Sequence, residues 1–321
     1  MSFFIETAEL QRIGALIEAY AAPIYAARGI PFEQFAYVLT RPGQMGGKES
    51  VRAQGAALRA DWRAYPCSLV KVFHLVAAQL RLEDGRLTAH GELDRAMRDM
   101  ILWSSNSATN YIIDLLTGTT GDTLLDDQDM GAWCERREEI NRIFAALCWP
   151  ELAGINLNQK LMDDLRYGRE KVALDRSATG HNCLTPIAMA RLMHEIFGDS
   201  ALLPPERLAV IRDHLARDAS APERGRGVYQ LLGYLGDALP GGTQIWSKAG
   251  RTRWLGDDRA SFRRHDTLRA ILPAGQEFLL TVFTQGEAIA EDDGFLPAIG
   301  ALVAAEMSRM ALENHSRRPQ S

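Results

Sequence analysis

Lysine and cysteine are both scarce in this sequence. Only five of its 36 basic residues are lysines, and its four cysteines include no C-x-x-C pair and no metal-ligand spacing. We therefore expect reduced thiols, and we predict neither a metal nor a cofactor. No apolar run approaches the roughly 20 residues of a membrane span. The start, MSFFIETAEL, lacks the basic residues and apolar core of a signal peptide, so we expect a cytoplasmic protein with no membrane partner.

Net charge is also low. It is −5 over 321 residues, of which 46% are hydrophobic. Mild acidity argues against a nucleic-acid partner, because binding to phosphates requires a basic surface. The length and apolar content suffice for a large core and for two lobes.

One of the few lysines lies in an apolar stretch, residues 65–80, with the sequence YPCSLVKVFHLVAAQL. Ser68 and Lys71 are three residues apart, so a helix would bring them to the same face. Pro66 suits the entrance of that helix, and apolar residues all round predict that it is buried. A buried lysine tends towards the neutral amine, which beside a serine is a base beside a weak nucleophile.

The alternative is an N-cap serine followed by an incidental lysine. Composition weighs against it, because a chain that uses arginine almost everywhere has lysine here, and arginine cannot accept a proton at neutral pH. No other lysine follows a serine at this spacing. We therefore take Ser68 and Lys71 as candidate catalytic residues.

The order of elements predicts one lobe built from both chain ends and an inserted all-helical lobe, with boundaries at 1–62 plus 205–321 and at 63–204. Hydrophobic periodicity predicts helices at 6–28, 133–147, 228–235 and 294–312. Strands are expected at 35–41, 244–248, 268–272 and 278–284. Residues 166–182 are polar and contain two glycines, which indicates a long surface loop.

Three short motifs now occur in order, on a helix, between helices and on a strand: Ser68-x-x-Lys71, Ser104-x-Asn106 and Lys248-Ala249-Gly250. Together they resemble the serine β-lactamase and penicillin-binding-protein superfamily. The phrases MILWSSNSATNYIIDLL, LTPIAMARLM and LPGGTQIWSKAG are similar to its class A branch. The likeness runs from about residue 6 to 310 and implies an α+β fold. In that fold an antiparallel sheet lies between layers of helices, and an all-helical lobe is inserted.

The resemblance also implies roles for the motif residues. Ser68 would be the acylated nucleophile, and Lys71 its proton acceptor. Ser104 would pass a proton to the leaving nitrogen. Asn106 would hydrogen-bond the substrate's amide side chain and Lys71.

The strand motif would complete the site. Lys248 would hold Ser104 and attract a substrate carboxylate. The backbone N–H groups of Ser68 and Arg251 would form the oxyanion hole. Gly250 fits this arrangement, because a substrate backbone must approach the strand closely. Taken alone, Lys248 would suit the edge of a sheet.

The chain departs from the family in three places. Ser105 stands where the family has aspartate, and Ala249 stands where it has threonine or serine, which weakens the case for carboxylate recognition. The middle of the chain is also longer than usual, so we expect an insertion near residues 125–165.

The family's loop glutamate, which deacylates the serine, has no clean counterpart. Glu170 is nearest by position, and Asp175 and Asp164 are alternatives. A solvated loop carboxylate is an equally good interpretation of Glu170.

The basic turn at Arg263, Arg264 and His265 lies near where some relatives bind a substrate carboxylate, although a solvated turn is the simpler interpretation. His265 and Asp266 could also be read as a catalytic pair. Since Lys71 already supplies a base, we do not favour that pair.

Three functions follow. The first is a hydrolase of small amides, lactams or esters acting through an acyl-serine, with β-lactamase as the family default. The second is a cytoplasmic esterase, peptidase or acyltransferase with the same machinery. The third is a non-catalytic binding protein on this fold. Because the loop glutamate is doubtful, we expect β-lactams to acylate Ser68 and to be released slowly.

Overall fold

The computed structural model describes residues 2–43, 52–161, 166–176, 180–198 and 201–316, with side chains to residue 313. Within these residues the helices are, in chain order, α1 Ala8–Ala27, α2 Val70–Glu83, α3 Gly91–Leu102, α4 Asn106–Thr117, α5 Asp127–Arg137, α6 Glu139–Ala145, α7 Gly168–Arg176, α8 Pro186–Phe197, α9 Pro205–Leu215, α10 Glu287–Ala290 and α11 Phe295–Ser316.

The strands are β1 Phe4–Glu6, β2 Phe35–Arg41, β3 Ala53–Leu58, β4 Ala216–Arg217, β5 Gln244–Thr252, β6 Arg263–Ile271 and β7 Glu277–Thr284. They form one sheet in the order β1-β3-β2-β7-β6-β5-β4. Only the β1–β3 pair is parallel. Sequence patterns do not indicate β1, which has three residues, or β3, whose AQGAAL sequence is poor in β-branched residues.

The sheet lies between two apolar layers, as the predicted fold class requires. Alternate residues of β2 point to opposite faces: Phe35, Tyr37 and Leu39 join α1 and α11, while Ala36 and Val38 join the helical side. Helix α8 covers that second face by packing on β7 and β2. This α+β architecture is confirmed, and the lobe boundaries remain a prediction.

Helix α2 is buried as predicted over all but its last four residues. The ten residues from Val70 to Gln79 are all buried. A 3₁₀ turn, Cys67–Leu69, precedes it and contacts β5 and β6. The first turn of the buried helix therefore lies at the seam between the helices and the sheet.

Three predicted elements differ from the structure. Residues 133–147 contain parts of α5 and α6, which are separated at Glu138. The predicted loop at 166–182 contains α7. Residues 228–235 are not a helix, because Gln230 and Gly233 have φ angles of +57° and +75°, which a right-handed helix cannot contain.

Helix α11 is longer and more apolar than the sequence analysis expects. By length and composition Phe295–Glu313 could cross a membrane, and half of this window is buried in the structure. Its buried residues include Phe295, Ile299 and Val303, which pack in the core shared with α1. A core helix of a globular protein has the same composition.

Candidate active site

Ser68 lies half-buried in the 3₁₀ turn that leads into α2. Cys67, just before it, has a left-handed φ of +50°. Burial raises the pKa of the Cys67 thiol to about 12, so this cysteine stays protonated and does not compete as a nucleophile.

Gly250 on β5 lets the strand approach the nucleophile. A Cβ atom at this position would lie 2.4 Å from the backbone N of Ser68 and 2.6 Å from the Cβ of Cys67. The structure therefore gives its own reason for glycine here, the close approach of the Cys67–Ser68 turn, and the approach of a substrate backbone remains a prediction.

Lys71 is fully buried one helical turn after Ser68. Its Nζ lies 2.8 Å from Asn106 Oδ1 and 3.2 Å from Ser104 Oγ, and it also donates to the Ser104 carbonyl. The lysine therefore joins the start of α2 to the start of α4, as the sequence motifs predict.

Ser104 occupies the turn between α3 and α4 with a φ of +54°. Its Oγ lies between two lysine side chains, 3.2 Å from Lys71 Nζ and 3.0 Å from Lys248 Nζ. Ser105, which stands where the family has aspartate, caps α4 by accepting the backbone N–H of Ala108 at 3.1 Å.

Lys248 extends from β5 and is fully buried. It donates to Ser104 Oγ, to the Ala249 carbonyl at 2.8 Å and to Gln230 Oε1. Burial, and secondarily the nearby charge of Lys71, hold the pKa of Lys248 well below its usual value. The expected proximity of Lys248 to Ser104 is confirmed.

Part of this arrangement lines a cleft of about 580 Å³, whereas the two lysines are fully buried. Its lining includes Ser68, Ser104, Asn106, Gln230 and Arg251. The side chain of Arg251 forms an ion pair with Glu291. The cleft is open beside Ser68, so a small molecule could reach the hydroxyl.

Glu170 lies outside this arrangement, which corrects its predicted placement. It is buried, and its two oxygens accept from Arg137 at 2.8 and 3.0 Å. Asp175 forms an exposed ion pair with Lys171 on the same helix. Neither carboxylate lines the cleft, and Asp164 lies outside the described residues.

Arg263, Arg264 and His265 do not form a solvated turn, because they begin β6 and are buried, and their contacts are structural. The Nδ1 of His265 accepts from the backbone N–H of Thr284 at 3.0 Å, so Nε2 carries the proton and donates to the Tyr65 carbonyl at 3.0 Å. Arg264 pairs with Asp293, and Arg263 donates to the Arg259 carbonyl. Histidine 265 therefore has no nitrogen available for Asp266.

Sequence reasoning missed Gln230 and the role of Asp266. Gln230 binds Lys248, while Asp266 is buried and accepts the backbone N–H of Leu235 at 2.9 Å, which holds the segment that carries Gln230. Burial raises the pKa of Asp266 to about 8. No motif marks Gln230, and an aspartate just before the predicted apolar strand is the only signal for Asp266.

Comparison with known proteins agrees with this geometry. Residues 91–307 match the model of the beta-lactamase enzyme family. The chain belongs to the beta-lactamase enzyme family. No curated protein matches it.

Solved structures of this superfamily share the fold. A beta-lactamase from Burkholderia vietnamiensis has 15% identity and a TM-score of 0.59 over 91% of this chain and 96% of its own. One from Xanthomonas campestris pv. campestris has 17% identity and a TM-score of 0.60 over 91% and 98%. A PBP-A mutant, solved as an acyl-enzyme with penicillin G, has 16% identity and a TM-score of 0.60 over 94% and 97%. At these identities the likeness concerns the fold alone.

Proposed function

We propose that this member of the beta-lactamase enzyme family is a serine hydrolase that cleaves a small amide, lactam or ester through an acyl-Ser68 intermediate. The observation that carries the proposal is the position of Ser104 Oγ, 3.2 Å from Lys71 Nζ and 3.0 Å from Lys248 Nζ, beside Ser68 in one cleft. Burying two lysines around one hydroxyl lowers the stability of the folded protein. This cost favours a catalytic role for the lysines over a purely structural one.

The reaction has two stages. Lys71 accepts the Ser68 proton while the Ser68 oxygen attacks the carbonyl carbon, and the N–H groups of Ser68 and Arg251 stabilise the oxyanion. The bond to the leaving group then breaks, and Ser104 gives that group a proton, which Lys71 replaces. Water must finally attack the acyl-serine.

The second stage lacks an identified base. Glu170 is held by Arg137 and Asp175 by Lys171, so neither is available at Ser68. A missing general base typically costs about 10²- to 10⁴-fold in rate. We therefore expect slow release of β-lactams, which favours the alternative function as an esterase, peptidase or acyltransferase over an efficient β-lactamase.

Intact-mass spectrometry after exposure to penicillins, cephalosporins and activated esters tests the proposal. We expect a covalent adduct on Ser68 that Ser68→Ala abolishes, and Lys71→Arg should slow its formation by at least about 10²-fold, because arginine keeps its proton. Ser247→Ala is the matched control, since the buried Ser247 hydroxyl has no hydrogen-bond partner among the described residues.

An adduct that persists in Ser68→Ala, or full activity in Lys71→Arg, would refute the assignment of nucleophile or base. The absence of any adduct would favour the non-catalytic binding protein. Rapid turnover of a β-lactam would contradict slow release, and trapping by Asp164→Asn would then identify Asp164 as the deacylating base.

A further inference from the structure

The segment after the turn at Gly227–Tyr229 exposes apolar side chains at the cleft. Tyr229, Leu231 and Leu235 point into the core under the sheet. Val228 and Leu232 point the other way, remain 51% and 42% exposed, and line the cleft. Exposed positions of a loop are usually polar, and an apolar patch bordered by polar groups commonly marks a ligand groove.

Contacts connect this apolar wall, formed by Val228 and Leu232, to Ser104, which lies on the leaving-group side in the proposed mechanism. The segment is attached to Lys248 through Gln230, and Lys248 contacts Ser104, the residue that would protonate the leaving group. Trp103, next to Ser104, lines the same cleft and packs against Tyr229 with 6.2 Å between ring centroids. The wall therefore faces the part of the substrate that departs first.

The arginines of the cleft and the neighbouring Lys248 already have protein partners. Both arginines that line the cleft are paired, Arg251 with Glu291 and Arg264 with Asp293. Lys248 contacts three uncharged protein oxygens, which is as many as an ammonium has N–H donors. A carboxylate on the leaving group would have to displace one of these partners.

We propose that the leaving group of the substrate is an uncharged, apolar alcohol or amine that packs against Val228, Leu232 and Trp103. This inference rests on the acyl-Ser68 chemistry proposed above. It reverses the expectation that Lys248 attracts a substrate carboxylate. In the reaction the serine oxygen bonds to the carbonyl carbon, the bond to the leaving oxygen or nitrogen breaks, and the Ser68 proton ends on the departing group.

The test uses acetate esters of phenols, because each would leave the same acetyl-Ser68 and differ only in the departing group. Phenyl, 4-ethylphenyl and 4-butylphenyl acetate are compared with the charged 4-acetoxybenzoate by following phenol release. We expect kcat/KM to rise about two- to fourfold per methylene group. The value for 4-acetoxybenzoate should be at least about tenfold below that for 4-butylphenyl acetate.

Two variants assign the effect to the wall. Leu232→Asp should reduce the ratio of kcat/KM for 4-butylphenyl acetate to that for phenyl acetate to less than about threefold. If Leu232→Asp fails to fold, Val228→Asp should have the same effect. Leu124→Asp is the matched control, because Leu124 is 70% exposed and does not line the cleft, and it should keep the full preference.

The outcomes separate the two proposals. Equal rates for all esters, or a preference for 4-acetoxybenzoate, with an acetyl adduct on Ser68, would overturn the apolar leaving group and leave the acyl-serine function standing. No phenol release and no adduct with any ester would overturn both.

Discussion

Gly250 has no side chain, and this allows β5 to pass close to the proposed nucleophile, Ser68. β5 passes so close to the turn at Cys67 and Ser68 that a methyl group would lie 2.4 Å from the Ser68 nitrogen. Both partners are backbone or first side-chain atoms of buried elements, so neither can move away easily. The proposed oxyanion hole would use the N–H of Ser68 at the same place, so this proximity would serve both packing and the proposed chemistry.

We therefore expect Gly250→Ala to slow acylation of Ser68 by about 10²-fold, because a displacement of about 1 Å in an active site has that effect. The rate of adduct formation, followed by intact mass, measures it. Gly241→Ala is the matched control, since Gly241 precedes β5 and a Cβ there meets nothing within 4 Å. Equal rates of adduct formation in both variants would contradict this prediction, because they would show that the Cys67–Leu69 turn can shift without slowing acylation.

At the scale of single residues, the sequence predicts contacts between residues that are close together in the chain. Ser68 and Lys71 lie one helical turn apart, so their spacing alone brings them together. Gln230 cannot be found in this way, because its contact with Lys248 depends on a left-handed backbone and on how the segment folds over the sheet. The sequence next to Lys248, including Ala249, does not indicate that the Gln230 amide contacts the lysine.

At the scale of secondary-structure elements, the contact between α5 and α7 is one that sequence patterns do not predict. The polar sequence of residues 166–182 predicts a loop, and the resemblance implies that Glu170 lies near Ser68. The partner that decides its role is Arg137, 33 positions earlier, which also stacks on Trp133 at 4.3 Å and donates to Thr119 Oγ1 at 2.8 Å. A pairing across such a distance leaves no periodic signal.

This pairing predicts a structural role for Glu170. The side chains of Arg137 and Glu170 are 3% and 7% exposed, and removing one partner of a buried pair leaves an uncompensated charge. We expect Glu170→Gln to lower the free energy of unfolding by about 3 kcal/mol. The release rate of acyl-Ser68 in the folded protein should be unchanged. Urea unfolding and the decay of the adduct measure the two effects.

The double variant Arg137→Met with Glu170→Met supplies the control, because exchanging both members of a buried pair for apolar residues removes the unpaired charge. It should be more stable than Glu170→Gln. A trapped adduct in a fully stable Glu170→Gln protein would instead return Glu170 to the role of deacylating base.

At the scale of the whole molecule, His265 connects the sheet to the segment that leads into the Ser68 turn. From β6 it accepts the Thr284 N–H of β7 and donates to Tyr65, three residues before Ser68, while its ring stacks on Phe283 at 4.3 Å. The sequence predicts the strands and the buried helix separately. It could not predict this link, because a histidine in a basic turn resembles a surface residue until the fold buries it.

Burial lowers the pKa of His265 to about 3, against 6.5 for an exposed histidine. As pH falls below about 6.5, the unfolded chain gains a proton that the folded protein does not, so stability falls by up to about 1.4 kcal/mol per pH unit from this residue. His265→Gln cannot titrate. At pH 7.5 the variant should be less stable than the native protein, because it loses the ring stacking. As pH decreases towards 4.5, the native protein loses stability through His265 and the variant does not. The difference in unfolding free energy between the two proteins should therefore shrink.

Urea unfolding at several pH values between 7.5 and 4.5 measures this difference, in which the titration of Asp266 and the other groups common to both proteins cancels. An imidazole proton resonance of His265 that does not shift down to pH 5 would confirm independently that the ring stays neutral. A deficit that is constant over the whole range would contradict the prediction, because it would mean that His265 takes up its proton in the folded and unfolded states alike. The connection between the sheet and the Ser68 turn would then have to tolerate a charged ring.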